Sequence, residues 1–168
     1  MMFLLDVNAL IAIQYPTHMH HARVRAWISK VLEERGQDDV TFATCPITEL
    51  GFVRVGSGKA GFAASVGAAR ADLRALKLKE KLLFIPDDLQ TRHLPAWVRK
   101  SAQTTDGYLL ALAKSRGGYL ATLDRFIPGA VFIPEATPEP LLVREAAMHS
   151  VWAAPLRTGH GAGIGLEF

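Results

Sequence analysis

Short apolar segments that alternate with helical segments constrain the fold of this 168-residue chain more than any other feature. Such segments, each four to six residues long, occur at 2–5, 40–44, 82–86, 119–124 and 130–134. Their length and their apolar or β-branched character are typical of buried strands. Because helices lie between them, the pattern predicts a central, mostly parallel sheet with helices on both faces, a three-layer α/β/α sandwich.

The connecting segments show helical spacing and helix boundary signals. The first predicted helix is "NALIAI", which Pro16 closes. Five further helices are predicted. One runs from Val24 to Leu32 and ends at Gly36, and a second begins at Pro46. A third lies near 96–102, a fourth is capped by Thr104 or Thr105 and ends at Gly117, and a fifth has these residues on a single face: Phe62, Val66, Ala69, Leu73 and Leu76. Right-handed crossovers are therefore expected.

The length and the composition fit one domain with a proper core, since 49% of the residues are hydrophobic and 21% are charged. We expect this domain to span residues 1–134. Residues 135–168 form a Pro/Gly-rich C-terminal extension, which we expect to be partly disordered. Its "GHGAGIG" follows no strand and opens no helix, so it is not a phosphate-binding loop.

Several features favour a cytoplasmic protein. The single cysteine, Cys45, allows no internal disulfide, and we interpret it as a small buried residue. The apolar N-terminus lacks a basic n-region and a cleavage pattern, and no apolar run reaches the ~18 residues of a membrane helix. A formal charge of +3 is compatible with a polyanionic partner.

Four acids occupy equivalent places in this pattern. Asp6 and Asp124 end predicted strands, and Glu49 and Asp106 lie near the start of predicted helices. Ligands of open parallel sheets collect at the carboxyl ends of the strands, so we expect these four carboxylates to converge there. Clustered carboxylates repel one another, and a Mg²⁺ or Mn²⁺ ion relieves that repulsion while leaving coordination positions for a substrate phosphate. The arrangement suits hydrolysis of a phosphodiester.

Each acid taken alone also has a structural explanation. Asp6 or Asn8 could cap the first helix, and Asp106 could sit in a first turn because negative charge is favourable there. Glu49 could be a solvated surface residue, and Asp124 a turn residue. Only the joint placement of all four favours a metal site.

At these residues the sequence resembles the PIN-domain family, and within it the VapC-type toxins of toxin–antitoxin pairs. The resemblance rests on "FLLDVNALIA", "TELGFVRV" and "TTDGYLLALAKSRGGYLATLDRF", and it spans residues 2 to about 134 in the right order and spacing. It implies a magnesium- or manganese-dependent endoribonuclease on a PIN fold. The extension beyond residue 135 has no counterpart in it.

The resemblance also implies roles for individual residues. Asp6, Glu49, Asp106 and Asp124 match the acidic quartet of the family, with Asp6 and Asp106 as principal metal ligands. Asn8 and Thr122 match polar positions that orient those ligands. The implied partners are an RNA substrate, a cognate antitoxin and a second copy of the chain in a homodimer.

Basic residues beside an acidic metal site are needed to hold a polyanion. Arg125, which follows Asp124, and Arg54, beyond Glu49, are the best candidates for contacts with RNA phosphates. The "HMHH" motif of His18, His20 and His21 suggests a zinc site, but helix-entry or surface histidines explain it better.

Two other functions remain open from the sequence. A non-catalytic module could bind RNA or a protein with its acids unused. An Asp-dependent phosphohydrolase or a receiver domain also places an aspartate after its first strand, but the former needs Asp-x-Asp where this chain has "DVN". The latter needs an adjacent acid pair, which Leu5 and Asp6 do not form.

Overall fold

The structure is a computed structural model that describes residues 1–59 and 61–135. Its centre is a five-stranded sheet in the order β3-β2-β1-β4-β5, in which every neighbouring pair is parallel. The strands are β1 (Met2–Leu5), β2 (Thr41–Thr44), β3 (Leu83–Phe84), β4 (Tyr119–Thr122) and β5 (Val131–Phe132). The predicted parallel sheet is therefore confirmed, with the N-terminal strand at its centre.

Five α-helices connect the strands. They are α1 (Val7–Gln14), α2 (His21–Arg35), α3 (Pro46–Gly56), α4 (Val66–Lys79) and α5 (Thr104–Ser115). Pro46 is the first residue of α3, as expected for a residue with no N–H to donate. Gly36 follows α2 with φ +88° and Gly117 follows α5 with φ +69°, so both glycines end helices in a conformation that other residues rarely adopt.

Two apolar clusters lie on opposite faces of the sheet, which confirms the three layers. Phe3 and Leu5 of β1 belong to a cluster that includes core residues of α1 to α4, such as Trp27 and Phe52. Leu4, between them in the sequence, belongs to the other cluster, which includes the buried leucines of α5. Alternate residues of one strand therefore supply both cores, as the twofold period of a strand requires.

Four local predictions were wrong. Phe62 lies outside α4, because the Ser65 side chain caps that helix by accepting a hydrogen bond from Ala68 N–H at 3.1 Å. The segment near 96–102 forms no α-helix, and single 3₁₀ turns occur at Thr91–His93 and Ser101–Gln103 instead. The N-cap of α5 is Gln103, since the preceding 3₁₀ turn runs directly into the helix. β4 ends at Thr122, two residues before Asp124.

All of the described residues belong to one compact unit. None of the helices in the described ranges has both the length and the apolar character needed to cross a lipid bilayer. The predicted extension at 135–168 lies outside the described residues except for Glu135.

Candidate active site

Asp6 lies where β1 passes into α1, at the carboxyl edge of the sheet. It is the N-cap of α1, and its Oδ1 accepts a hydrogen bond from the Val7 N–H at 2.6 Å. Its Oδ2 accepts a hydrogen bond from the Thr122 hydroxyl at 2.9 Å. Asp6 therefore caps α1, as one interpretation of the sequence predicted. Capping does not exclude a role in a metal site, because hydrogen bonds on both oxygens hold the carboxylate in one orientation at the sheet edge.

Thr122 also positions Asp124. It is completely buried at the end of β4, and its hydroxyl oxygen accepts a hydrogen bond from the Asp124 N–H at 3.0 Å. The Asp124 carboxylate accepts a hydrogen bond from the Phe126 N–H at 2.8 Å, which forms a tight turn after the strand. The Thr122 hydroxyl thus links the Asp6 side chain to the backbone of the exposed Asp124.

Asp106 lies in the first turn of α5, where its backbone is held by close packing. The next residue is Gly107, and a Cβ added there would come within 2.2 Å of Val98 Cγ2 and within 3.4 Å of Pro95 Cδ. The segment before α5 therefore packs directly on the first turn of that helix. A residue with a side chain at 107 would displace this segment and the neighbouring carboxylate.

The charges of these three aspartates act on one another. Burial raises the pKa of Asp106 above its ordinary value, and the negative charges of Asp6 and Asp124 raise it further. Burial also raises the pKa of Asp6; its hydrogen bonds from Thr122 and Val7 oppose that rise, and the charge of Asp124 adds to it. The structure therefore brings together three of the four acids predicted from the sequence.

Glu49 has different surroundings. Its Oε1 accepts a hydrogen bond from the Thr44 hydroxyl at 2.7 Å and forms an ion pair with Lys77 of α4. The Lys77 ammonium also lies 5.0 Å from the centre of the Phe84 ring. The fourth acid is thus neutralised by a cation of the protein, and it faces a cavity of about 760 Å³ between α3 and α4.

No such cation pairs with the three aspartates in the part of the chain that the structure describes. None of the ion pairs between described residues includes Asp6, Asp106 or Asp124. A set of donors made up of carboxylates alone is what a hard divalent cation prefers. Within 1–59 and 61–135, however, no three His, Cys, Asp or Glu side chains already have the arrangement of a metal site. The carboxylate oxygens suit a divalent cation, and the three side chains would have to move closer together to bind it.

The remaining predicted residues lie around this cluster. Asn8 is exposed on α1 and lines a cavity of about 430 Å³ together with Asp124. Arg125 is exposed, and its guanidinium lies 4.9 Å from the centre of the Phe126 ring. Arg54 is exposed in the last turn of α3.

Sequence reasoning missed two spatial relations. The pairing of Lys77 with Glu49 joins residues 28 positions apart, and no local pattern indicates it. The histidines His18 and His20 line the same cavity as Asn8 and Asp124. The "HMHH" motif was a signal for them, but their relation to Asp124 depends on the tertiary fold.

Comparisons with known proteins agree with this architecture. A family model described as PIN domain matches residues 3–128. Ribonuclease VapC38 from Mycobacterium tuberculosis is 40% identical over 127 residues, which are 73% of this chain and 85% of VapC38. Ribonuclease VapC29 from the same species is 37% identical over 145 residues, which are 82% of this chain and 100% of VapC29.

The fold is also similar to that of a solved structure. It is the crystal structure of VapBC2 from Rickettsia felis bound to a DNA fragment from their promoter, with a TM-score of 0.52 and 14% sequence identity. The alignment covers 79% of this chain and 97% of the compared one. At this identity the likeness concerns the fold alone.

Proposed function

The chain belongs to the PIN-domain family, and from that premise we propose that it is a divalent-metal-dependent endoribonuclease, the toxin of a VapBC-type toxin–antitoxin pair. The observation that supports this most directly is the cluster of Asp6, Asp106 and Asp124 at the carboxyl edge of the sheet. The charge of Asp124 raises the pKa of Asp6, the charges of both raise the pKa of Asp106, and the three aspartates lack a basic partner among the described residues. The names of the similar ribonucleases support RNA as the substrate.

In this proposal Asp6 and Asp106 hold Mg²⁺ or Mn²⁺, and Asp124 and Glu49 assist directly or through water. When bound, the cation supplies Lewis-acid stabilisation of the negative charge that develops during hydrolysis of the phosphodiester. Thr122 keeps the Asp6 carboxylate in one orientation through its hydroxyl, and Asn8 is the second orienting residue. Arg54 and Arg125 neutralise RNA phosphates on the flanks of the site.

The proposal extends to the organisation of the protein. Residues 1–134 form the nuclease domain, and residues 135–168 are an extension with no assigned role. The family match, which ends at residue 128, supports this division. An antitoxin encoded elsewhere, a homodimeric assembly and a cytoplasmic location complete the proposal. Co-expression with a candidate antitoxin and light scattering of the purified chain test the first two.

The decisive experiment is cleavage of single-stranded RNA by the purified chain with Mg²⁺, with Mn²⁺ and with a chelator. We expect cleavage with either metal, none with the chelator, and a loss of about 100-fold or more in Asp106→Asn. Asp106→Asn is preferable to Asp6→Asn because Asp6 also caps α1. Asp38→Asn, at an exposed position between α2 and β2, is the matched control and should cleave normally.

Two results would contradict the proposal. If folded Asp106→Asn cleaves RNA as fast as the wild type and still needs metal, the aspartate cluster takes no part in the reaction. RNA binding without metal binding and without cleavage would instead indicate a non-catalytic module.

A further inference from the structure

A row of aromatic rings leads from α3 to the cavity beside Asp124. Tyr15 stacks on Phe52, with ring centres 5.8 Å apart, and on Phe62, with ring centres 4.9 Å apart. The His18 ring lies 5.5 Å from the Phe62 ring and 5.6 Å from the His20 ring. The row therefore ends in two histidine rings that also line the cavity.

The cavity has a volume of about 430 Å³ and adjoins the acidic cluster. Its lining consists of Asn8, His18, Met19, His20, Leu123 and Asp124. This volume falls within the range of roughly 300–1,000 Å³ that is usual for small-molecule sites. A ligand in the cavity would lie next to one of the three clustered aspartates.

The loop that carries the histidines is ordered by its own hydrogen bonds. The His18 N–H donates to the Tyr15 carbonyl at 3.0 Å, and the His21 N–H donates to the His18 carbonyl at 2.9 Å. Nδ1 of His18 accepts the His20 N–H at 3.1 Å, so the ring is held by the backbone of the loop. His20 occupies the N-cap position of α2, but its ring makes no capping hydrogen bond. The helix therefore does not account for this ring.

We propose that this cavity is a nucleobase subsite, in which a base next to the scissile phosphate stacks on the His18 and His20 rings. The amide of Asn8 then faces the edge of that base and can donate and accept hydrogen bonds with it. The inference rests on the proposed ribonuclease function and adds to it the part of the substrate that the protein recognises.

The chemistry of the lining favours a base over a phosphate. The Asp124 carboxylate at one wall repels an anion, whereas the face of a neutral base stacks on aromatic and imidazole rings. Burial lowers the pKa of His18, and the neighbouring His20 and His21 lower it further, which disfavours the charged ring that a phosphate would need. Unstacked bases of single-stranded RNA are the parts of a substrate that such a surface accepts.

The test uses a short single-stranded RNA in which one abasic position is moved along the sequence. For the wild-type chain we expect one position beside the cut at which base removal raises KM about tenfold. In His20→Ala the intact RNA should already have a KM about tenfold higher, and the abasic position should add nothing. kcat should stay within about threefold in both cases, because stacking away from the reacting atoms changes mainly substrate binding.

Two further variants separate stacking from other effects of the substitution. His20→Phe keeps an aromatic face and should retain a KM near that of the wild type. His93→Ala removes an exposed histidine from a 3₁₀ turn elsewhere and should show the wild-type abasic profile. If His20→Ala does not fold, as judged by circular dichroism, His18→Ala is tested in the same way.

The possible failures can be distinguished. If base removal and His20→Ala raise KM independently at every position, so that their two effects multiply, the subsite is excluded while the ribonuclease function stands. The same conclusion follows if folded His18→Ala and His20→Ala keep the KM of the wild type. A wild-type chain that cleaves no RNA overturns the proposed function and the subsite with it.

Discussion

The Thr122 hydroxyl donates a 2.9 Å hydrogen bond to Oδ2 of Asp6, although 116 residues separate the two in the chain. Thr122 is completely buried at the end of β4, beside the end of β1. Because the same oxygen accepts the Asp124 N–H, one side chain sets the relative positions of two acids. Residues at strand ends can thus organise a site without touching its ligand.

Thr122→Val tests this relation with a substitution of nearly equal volume. Loss of the hydrogen bond should raise the pKa of Asp6 further, because that bond stabilises the charged carboxylate. We expect Mn²⁺ affinity, measured by calorimetry, and RNA cleavage to fall about tenfold, and the free energy of unfolding to fall by about 1 kcal/mol.

Thr48→Val is the matched control for Thr122→Val. Thr48 is equally buried, and its hydroxyl donates to the Cys45 carbonyl and accepts the Cys45 N–H at the start of α3. This variant should lose stability by about 1 kcal/mol and keep its metal affinity. Equal loss of metal affinity in both variants would show that Thr122 acts only through general stability.

Asp106→Asn should change the pH dependence of stability in the absence of metal. A carboxyl group whose pKa is raised in the folded state binds its proton more tightly there than in the unfolded chain, where its value is near 3.8. Its contribution to stability therefore falls as pH rises from about 3.8 through the raised value, and stays low above it. Asp106→Asn has no carboxyl group at this position, so its stability does not fall with pH in this way.

The measurement is thermal unfolding with a chelator across that pH range. At neutral pH we expect Asp106→Asn to melt on the order of 2 °C higher than the wild type. Added Mn²⁺ should raise the Tm of the wild type and leave that of the variant nearly unchanged. A variant that melts lower than the wild type at neutral pH would contradict repulsion among the aspartates.

Lys77→Met should free the Glu49 carboxylate. The substitution removes the cation paired with Glu49, and if Glu49 assists the metal as proposed, its freed carboxylate should tighten Mn²⁺ binding about threefold. Lys79→Met removes a charge from an exposed lysine of the same helix and should leave the affinity unchanged. In Lys77→Met/Glu49→Gln the gain should disappear, and its persistence would show that Lys77 acts on the metal directly.

Gly107→Ala tests the packing that holds Asp106. The added methyl group would overlap Val98, and we expect a loss of about 1–3 kcal/mol in the free energy of unfolding together with reduced RNA cleavage. Gly67→Ala in α4 is the control, because a Cβ there meets only Ser65 Oγ, at 3.6 Å. That variant should gain up to about 1 kcal/mol, as replacement of a helical glycine by alanine does. Denaturant titration measures both changes.

The sequence was sufficient to predict the sheet, because β1 to β5 are short apolar segments bounded by strong turn signals. Local details were harder to predict where tertiary contacts determine the structure. Phe62 has the spacing of a helix face, yet it packs on Tyr15 while Ser65 starts the helix. The segment before α5 is apolar enough for a helix, but it packs on Gly107 and forms only short turns.

The same distinction applies to the site. Asp6 was predictable at the sheet edge because it directly follows a strand signal, Asp124 because it ends one, and Asp106 because it lies in the first turn of a strong helix. The pairing of Glu49 with Lys77 was not predictable, since it depends on how α3 and α4 pack. The closeness of His20 to Asp124 likewise depends on the course of the loop between α1 and α2.

The order of the strands also has a consequence for synthesis on the ribosome. β1 is made first, yet one of its two neighbours in the sheet is β4, whose last residue is Thr122. A growing chain can therefore hold Asp6 in its final orientation only after nearly the whole domain has emerged. Incomplete chains that end before β4 lack Thr122 and Asp124, so under the proposed function we expect them not to cleave RNA.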